Sequence, residues 1–269
     1  MLSVAARLPL TRKLRGAIPP LWRRRLRRCV VEAPIRARDI LPDAADLFRR
    51  ETERLPPARL RERGSPSSSR RDFQTAGALA AADVLQAFDR GRRPGADYPR
   101  WLDFGCGCGR IARHLARAPV LRELHGVDVD PEAIAWLARR PSSGRFERIS
   151  ARPPTALAGA FFDVALAVSV FPRLDQAAEA EWLPELVRLL RPGGLLIAST
   201  LSGDPTSNLA RESLASRSRV EKTWGRLLRV RSYRDRGLAG SEDLWVWEKA
   251  YRCDPPREPP RLPCRRWER

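Results

Sequence analysis

The sequence predicts an α/β fold, with a doubly wound and mostly parallel sheet that carries helices on both faces. First, short apolar runs alternate with stretches of helical periodicity between residues 73 and 201. Second, residues 161–168 form a nearly continuous apolar run, which is typical of a central strand covered on both faces. Third, the glycine-rich run 105–109 follows an apolar run that ends in Asp103, as a nucleotide-binding turn follows a strand.

The elements follow one another regularly along this region. The predicted strands are residues 101–104, 124–128, 145–149, 161–168 and 195–201, and the predicted helices are residues 73–88, 110–117, 131–138 and 179–190. Asp130 is placed to cap the helix that begins at Pro131, and Pro192 with the two following glycines ends the helix that contains Pro184. Two further strands, residues 224–233 and 244–251, flank a glycine-containing turn at 237–240.

The composition is strongly basic, with 51 Lys and Arg against 32 Asp and Glu and a formal charge of +19. Such a charge favours nucleic acid or an anionic membrane as a partner. However, lysine stands only at Lys13, Lys222 and Lys249, so arginine has spread through the whole chain and compositional bias explains most of the charge. The charge is still uneven, because residues 1–71 hold 19 basic and 7 acidic residues, or +12 of the +19.

The length and the breaks in composition predict one catalytic domain with two appendages. A chain of 269 residues, 43% of them hydrophobic, can bury one sizeable core. Residues 1–72 are predicted to be a basic, Pro- and Arg-rich N-terminal extension. Residues 73–252 are predicted to be the catalytic domain, and residues 253–269 a loose C-terminal tail.

The N-terminal extension and the cysteines bear on location. Trp22, Leu26 and Val30 recur four residues apart among arginines, so this arm could contact an anionic membrane peripherally; a solvated arm is the favoured alternative. No apolar run approaches the roughly 20 residues of a spanning helix. Five cysteines without a regular framework suit a reducing compartment, and we expect a cytoplasmic protein. Cys106 and Cys108 lack a companion pair at zinc-like spacing, so no metal site is predicted.

Two acidic residues at strand ends indicate a nucleotide-like ligand. Asp103 closes the first predicted strand, and Asp128, 25 residues later, closes the second. In an open α/β sheet an acid at the end of the second strand can accept hydrogen bonds from ribose hydroxyls. The glycines follow the spacing Gly-x-Gly-x-Gly, and no catalytic Tyr-x-x-x-Lys or His-Asp pair follows, which disfavours an NAD-dependent dehydrogenase.

The sequence resembles the class I S-adenosylmethionine-dependent methyltransferases in its motif Asp103-Phe104-Gly105-Cys106-Gly107-Cys108-Gly109, in Asp128 and in the passage 189–197. Residues 55–77 also resemble the lead-in of a bacterial group often found among polysaccharide and natural-product enzymes. The resemblance implies a seven-stranded sheet with an antiparallel last strand, a methyltransferase domain over residues 73–252, and S-adenosylmethionine as the cofactor.

The resemblance also assigns residues to the cofactor. Asp128 would hold the ribose, Val129 would pack on the adenine, and the turn 105–109 would carry the methionine moiety and the ribose edge. Phe73 and Gly77 are further candidates, because the lead-in helix tends to close over the cofactor in such proteins; ordinary helix packing is the alternative. The predicted cofactor-binding set is Asp103, Phe104, Gly105, Cys106, Gly107, Gly109, Asp128, Val129, Ser150, Ser169 and Val170.

The chain departs from the family pattern in two loops. After the third strand, many relatives place an acid that meets the adenine amino group, whereas this chain offers Ser150. After the fourth strand, related proteins often have Thr-His where this chain has Pro172-Arg173. The second change removes the obvious titratable base and introduces a permanent cation.

No strong general base is evident. His114 and His125 are expected to be packing or surface residues. Three possibilities remain open: the acceptor is acidic and needs no base, a carboxylate such as Asp175 serves, or activity is lost. Asp175 is therefore the candidate catalytic residue, and a cap on the following helix is the alternative role for its side chain.

The leading hypothesis is methyl transfer to a small molecule or glycan, most plausibly at oxygen. A non-catalytic methyltransferase-like binding module is the first alternative, because a base and an adenine-binding acid are missing. Nucleic-acid methylation is disfavoured, since the loop Asp/Asn-Pro-Pro-Tyr/Phe of amino-methylating enzymes is absent after the fourth strand. The identity of the acceptor and the oligomeric state stay open.

Overall fold

The computed structural model describes residues 55–63, 69–139, 144–201 and 217–251. The greater part of the predicted N-terminal extension, including the segment around Trp22, lies outside these residues, and so does the predicted tail 253–269.

The described chain alternates helices and strands from α1 to β7. The helices are α1 (Ala58–Arg63), α2 (Arg70–Gly91), α3 (Ala112–Leu115), α4 (Pro131–Ala138), α5 (Gln176–Leu189) and α6 (Arg217–Trp224), with a 3-10 helix at Phe171–Arg173. The strands are β1 (Arg100–Phe104), β2 (Glu123–Asp128), β3 (Arg145–Arg148), β4 (Phe162–Ala167), β5 (Leu190–Leu201), β6 (Leu228–Leu238) and β7 (Glu242–Lys249).

The described strands form one seven-stranded sheet in the order β3-β2-β1-β4-β5-β7-β6. The pairs from β3 to β5 are parallel, whereas β7 is antiparallel to both β5 and β6. The predicted fold class, a mostly parallel sheet with an antiparallel last strand, is confirmed. Strand order reverses between β1 and β4, so the carboxyl ends of these two strands mark the switch point at which open α/β sheets bind ligands.

The centre of the sheet is buried on both faces. All six residues of β4 are buried, as its apolar run predicts. One face carries a cluster of aromatic rings, in which Trp224 contacts Phe171 at 4.5 Å and Trp247 at 5.8 Å between ring centroids. The Trp224 indole N–H donates to Glu179 Oε1 at 2.7 Å. These contacts hold the end of α6 against the sheet, so the expectation that Trp224 begins a strand was wrong.

Before β1, helix α2 is longer than the predicted helix 73–88, and α1 was not predicted. Helix α2 begins at Arg70 because Ser69 caps it, with the Ser69 hydroxyl accepting from the Asp72 N–H at 3.3 Å. Leu60 of α1 is buried in a cluster with Phe73 and Cys108. Packed structure therefore begins before residue 73, which is the predicted start of the domain.

Strand β5 begins at Leu190, five residues before its predicted start. Leu190 pairs with Phe162, and the register then shifts before Leu195 pairs with Val164. The residues between, which were predicted to form a turn, instead belong to this irregular strand, in which Gly193 has a φ of +74°. None of the described helices has the length and apolar character that a membrane crossing requires.

Candidate active site

A cavity of about 220 Å³ opens beyond the carboxyl ends of β1 and β4. It lies at the reversal of strand order, and α1 and α2 contribute one wall. The lining residues are Leu60, Arg63, Phe73, Asp103, Gly105, Cys106, Gly107, Cys108, Arg110, Ile111, Asp128, Asp130, Ala133, Val168, Ser169 and Arg173. The cavity thus collects residues from the first glycine-rich turn, the end of β2 and the loop after β4.

The glycine-rich turn wraps the floor of the cavity. Gly105, Gly107 and Gly109 have φ values of +77°, +52° and +81°, a region that residues with a side chain rarely adopt. The N–H groups of Gly105 and Cys106 donate to Val127 O at 2.8 and 3.1 Å, which ties the turn to β2. A Cβ on Gly107 would meet nothing within 4 Å, so the main chain there faces open space. A ligand can therefore lie directly against the backbone.

Asp128, the predicted ribose-binding residue, lies against this turn. Its Oδ2 accepts from the Gly107 N–H at 2.7 Å, and its Oδ1 accepts from the Asp130 N–H at 2.9 Å. Asp130 in turn caps α4, because its Oδ1 accepts from the Glu132 and Ala133 N–H groups at 2.9 and 3.2 Å. The carboxylate at the end of β2 is thereby held at the rim of the cavity.

Val129, next along the chain, is 48% exposed. An exposed apolar side chain beside a polar cleft is suited to pack on a flat ring. Its carbonyl oxygen accepts from Arg148 Nε at 3.3 Å, which fixes the backbone at this point.

Asp103 lies at the bottom of the cavity, where it is 3% exposed. Within the described chain its Oδ2 has no hydrogen-bond partner. Burial raises the pKa of Asp103 to about 7, the nearby Asp128 charge adds to the rise, and Arg110 opposes it. A buried carboxylate in this state is stabilised by any ligand that brings a cation or a hydrogen-bond donor.

Three arginines face the cavity from other sides. Arg63 is paired with Asp130 at 2.5 Å and with Glu132 at 2.9 Å. Arg110 follows the glycine turn; burial lowers its pKa, and among the described residues no hydrogen bond or ion pair reaches its guanidinium. Arg173 closes the 3-10 helix, is exposed, and donates from Nη1 to Arg63 O at 3.4 Å. The site therefore has acidic and basic sides.

In the loop after β4, Ser169 has a left-handed backbone conformation and is held by two hydrogen-bonding partners. Ser169 has a φ of +57°, and its N–H donates to Ser199 Oγ at 2.6 Å. The Ser169 hydroxyl contacts both carboxylate oxygens of Glu242, at 2.9 and 3.1 Å. This contact brings the start of β7 to the edge of the cavity.

The remaining predicted cofactor residues lie around the cavity without lining it. Phe104 is buried against Trp182, with ring centroids 4.7 Å apart. Gly109 packs near Leu137, and Val170 packs on Gly105, where an added Cβ would come within 2.4 Å of its Cγ2. Ser150 is exposed. These positions support the cavity from behind or lie beside it.

Asp175, the candidate catalytic residue, has the alternative role that the sequence analysis named. It is the N-cap of α5, where its Oδ1 accepts from the Ala178 N–H at 2.8 Å, and it does not line the cavity. His125 pairs with Glu123 at 2.7 Å outside the cavity. His114 is also outside; burial lowers its pKa to about 3, so its ring is neutral.

Several residues of the site were not predicted. Leu60, Arg63 and Arg110 line the cavity, and Glu242 contacts Ser169. Glu242 lies 73 residues after Ser169, so no local spacing signals the pair. The described residues contain no group of three or more His, Cys, Asp or Glu side chains arranged to hold a metal ion. Burial raises the pKa of both Cys106 and Cys108, which keeps them as thiols.

Comparison with known proteins bears on this site directly. Residues 102–196 match a family described as a methyltransferase domain, and the match spans the glycine-rich turn, Asp128 and the loop after β4.

Curated relatives match this chain over segments of about the same length as the family match. The malonyl-[acyl-carrier protein] O-methyltransferase of Enterobacter lignolyticus is 34% identical over 134 residues, which cover 48% of each chain. The trans-aconitate 2-methyltransferase of Pseudomonas aeruginosa is 39% identical over 99 residues, covering 37% of this chain and 34% of that one. The chain spans about half the length, or less, of the curated relatives it matches.

Solved structures share the fold. The N-methyltransferase NodS of Bradyrhizobium japonicum, in complex with S-adenosyl-L-homocysteine, superposes with a TM-score of 0.52 at 17% identity, over 72% of this chain and 99% of that one. A SAM-dependent methyltransferase of Aquifex aeolicus gives a TM-score of 0.52 at 15% identity, over 73% and 100%. The family match thus includes the glycine-rich site, and the solved structures share the arrangement of the sheet around it. The described chain therefore has the fold of S-adenosylmethionine-dependent methyltransferases, and residues 102–196 are similar in sequence to a methyltransferase domain.

Proposed function

We propose that this protein transfers the methyl group of S-adenosylmethionine to an oxygen atom of a small molecule or glycan. The observation that carries the proposal is the juxtaposition of Asp103, the open glycine turn and Asp128 at the point where strand order reverses. The curated names support a small-molecule acceptor, because one relative is a malonyl-[acyl-carrier protein] O-methyltransferase and another a trans-aconitate 2-methyltransferase.

The residues of the cavity fit the parts of the cofactor. The buried Asp103 Oδ2, which has no hydrogen-bond partner among the described residues, suits the ammonium of the methionine moiety. Arg110, whose guanidinium forms no hydrogen bond or ion pair among those residues, suits its carboxylate. Asp128 would accept from the ribose hydroxyls, and Val129 would pack on the adenine. The main chain at Gly107 faces the open space between these groups. When bound, S-adenosylmethionine supplies a methyl group that its positive sulfur activates for transfer.

The other predicted residues complete this proposed set. Gly105 and Cys106 line the cavity, and Ser169 holds its edge. Phe104, Gly109 and Val170 support the turn from behind, and Ser150 is the polar side chain that follows β3.

The protein contributes mainly by positioning. A donor and an acceptor held in line gain on the order of 7–11 kcal/mol relative to free reactants in water. Phe73 of α2 and Leu60 of α1 present apolar surface to the cavity, which excludes water from the reacting groups. Asp175 has a supporting role, because its cap on α5 fixes the end of the loop that carries Arg173.

Binding of S-adenosylmethionine by isothermal titration calorimetry tests the cofactor assignment. We expect the wild-type protein to bind, and Asp128→Ala to weaken binding by about tenfold or more, because charge-assisted hydrogen bonds contribute roughly 1.5–3 kcal/mol. Asp97→Ala is the matched control, since Asp97 is exposed, with 62% of its side-chain surface accessible, and does not line the cavity. Absence of binding by the wild type, or equal binding by Asp128→Ala, would overturn the assignment.

A non-catalytic binding module is the second candidate, favoured by the absence of His, Lys and Tyr from the described residues that line the cavity. The two functions differ in turnover. Release of S-adenosylhomocysteine in the presence of an acceptor supports the enzyme, whereas cofactor binding without any release supports the module.

A further inference from the structure

We propose that the acceptor group is a carboxylate, that Arg173 binds it, and that the product is a methyl ester. This inference rests on the proposed methyl transfer and narrows it to one class of acceptor. The observation behind it is a cation at the cavity for which the described chain supplies no counter-charge.

Of the three arginines at the cavity, Arg173 remains available to bind the acceptor carboxylate. Arg63 is neutralised by its pairs with Asp130 and Glu132. Asp103 and Arg110, which both line the cavity, are assigned in the proposed function to the ammonium and the carboxylate of the methionine moiety. Arg173 has one long contact, from Nη1 to Arg63 O at 3.4 Å, and no carboxylate of the described residues lies within ion-pair distance of it.

Arg173 is held on a well-fixed loop. The 3-10 helix that carries it begins at Phe171, which is 5% exposed and packs on Trp224. The Arg173 N–H donates to Val170 O at 2.8 Å, and two residues later Asp175 caps α5. The backbone is thus anchored on both sides, while Arg173 itself is exposed and lines the cavity. A planar guanidinium on a fixed backbone is suited to bind a carboxylate with two parallel hydrogen bonds.

A carboxylate acceptor would also not require a general base, which agrees with the residues that line the cavity. The described lining residues include no His, Lys or Tyr, and burial raises the pKa of the Cys106 and Cys108 thiols. A hydroxyl acceptor would have to lose a proton during transfer, which calls for a base within about 3 Å. A carboxylic acid with a pKa near 4 has already lost its proton at neutral pH.

The transfer balances without a proton acceptor. One oxygen of the carboxylate forms a bond to the methyl carbon while the bond from that carbon to sulfur breaks. The electron pair of the broken bond stays on sulfur, which becomes a neutral thioether. The negative charge of the acceptor and the positive charge of the donor disappear together, and no other reactant is needed.

The competing arrangement is a hydroxyl acceptor whose proton passes to the Ser169–Glu242 pair at the edge of the cavity. That route gives a methyl ether. Esters and ethers differ in alkali, since only an ester releases methanol, so the product distinguishes the two acceptors.

The experiment uses the full chain, S-adenosylmethionine labelled in its methyl group, and a deproteinised bacterial extract of small molecules as the source of acceptors. The labelled products are treated with mild alkali, and the released methanol is counted. We expect most of the transferred label to be released as methanol. Label that stays in the products after alkali would overturn the carboxylate proposal and leave the proposed methyl transfer standing. No transfer at all would overturn both, whereas failure to bind S-adenosylmethionine would identify the cofactor assignment as the cause.

Variants of Arg173 test the residue itself. We expect Arg173→Gln to lower kcat/KM for the extract-derived acceptor by about 10- to 100-fold, because hydrogen bonds between charged groups contribute roughly that factor. Its affinity for S-adenosylmethionine, measured by calorimetry, should stay within about twofold of wild type, since Arg110 is the residue assigned to the cofactor. Arg226→Gln, which removes an exposed arginine outside the cavity, is the matched control and should show wild-type kinetics. An Arg173→Gln protein with wild-type kcat/KM, or one that loses cofactor binding to the same extent as turnover, would overturn the role of Arg173.

Discussion

Asp103 is a buried carboxylic acid of the site, and one of its oxygens lacks a hydrogen bond from the described residues. Its side chain is buried beside Asp128, and within the described chain its Oδ2 receives no hydrogen bond. Burial raises its pKa from 3.8 to about 7. Functional sites commonly contain buried groups with shifted pKa values, because the ligand provides the interaction that the fold omits. In the proposed function that interaction is the ammonium group of the cofactor.

We predict that Asp103→Asn stabilises the cofactor-free protein at pH 8. The unfolded chain loses the Asp103 proton near pH 3.8, whereas the folded chain keeps it until about pH 7. Between these values the folded state binds more protons, so wild-type stability falls as pH rises toward 7 and is constant above it. The variant lacks this loss, and its advantage at pH 8 should be on the order of a few kcal/mol.

Urea unfolding at pH 8 and at pH 4 measures this difference, which should be absent at the lower pH. The same substitution should weaken binding of S-adenosylmethionine, because an amide cannot neutralise the ammonium. Equal unfolding free energies for the two proteins at pH 8 would show that Asp103 is not destabilised by its burial.

At the scale of elements, the site depends on close packing of α2 against the turn that follows β1. A Cβ on Gly77 would lie 2.3 Å from Arg110 O and 3.1 Å from His114 Nε2. The helix can approach the glycine-rich turn this closely only because residue 77 has no side chain. Gly77, a predicted site candidate, therefore acts through helix packing, whereas Phe73, one turn earlier, lines the cavity.

We predict that Gly77→Ala destabilises the protein by about 1–3 kcal/mol, the usual cost of overpacking against a backbone. Because the displaced turn is the one assigned to the cofactor in the proposed function, affinity for S-adenosylmethionine should fall as well. Thermal unfolding and calorimetry measure the two effects. Thr75→Ala, a half-buried position two residues earlier on α2, serves as the control and should change neither property appreciably. Unchanged stability in Gly77→Ala would mean that the turn can shift without cost.

At the scale of the whole molecule, the helix before the sheet is bound to the last hairpin. Asp83 of α2 accepts from Arg234 Nη2 at 2.6 Å and from the Ala239 N–H at 3.0 Å. Residues 83 and 239 are 156 positions apart, so this carboxylate joins the beginning of the described domain to its end. The contact ties α2 to the β6–β7 hairpin, in which β7 pairs with β5 and carries Glu242, the partner of Ser169.

We predict that Asp83→Ala lowers the free energy of unfolding by about 2–3 kcal/mol. The substitution removes a nearly buried carboxylate, so the Arg234 guanidinium and the Ala239 N–H both lose this acceptor. Asp89→Ala is a matched control on the same helix. Asp89 pairs with Arg92 at 2.9 Å, and both side chains are about 30% exposed, so its loss should cost less than about 1 kcal/mol. Denaturant unfolding monitored by tryptophan fluorescence measures both. Equal effects of the two substitutions would argue against a special role for the hairpin contact.

Most of the fold could be predicted because its signals are local. The apolar run of β4, the Asp130 cap and Pro131 at the start of α4 each act within a few residues, and the structure contains all three. The secondary structure was predicted wrongly where contacts between distant parts of the chain decide it. Trp224 ends α6 because Glu179 and the aromatic cluster bind its ring from other parts of the chain.

By itself, the sequence determined the order of the strands along the chain, the glycine-rich turn and the two acids at the carboxyl ends of β1 and β2, since these depend on residue type and short spacing. The tertiary structure decided how the turn is used. It buried the Asp103 Oδ2 with no hydrogen-bond partner among the described residues, brought Asp128 onto the Gly107 N–H, and collected Arg63, Arg110 and Arg173 around one cavity. Charges from separate elements meet only when the sheet forms, because electrostatic environment is a property of distance in space and not of separation along the chain.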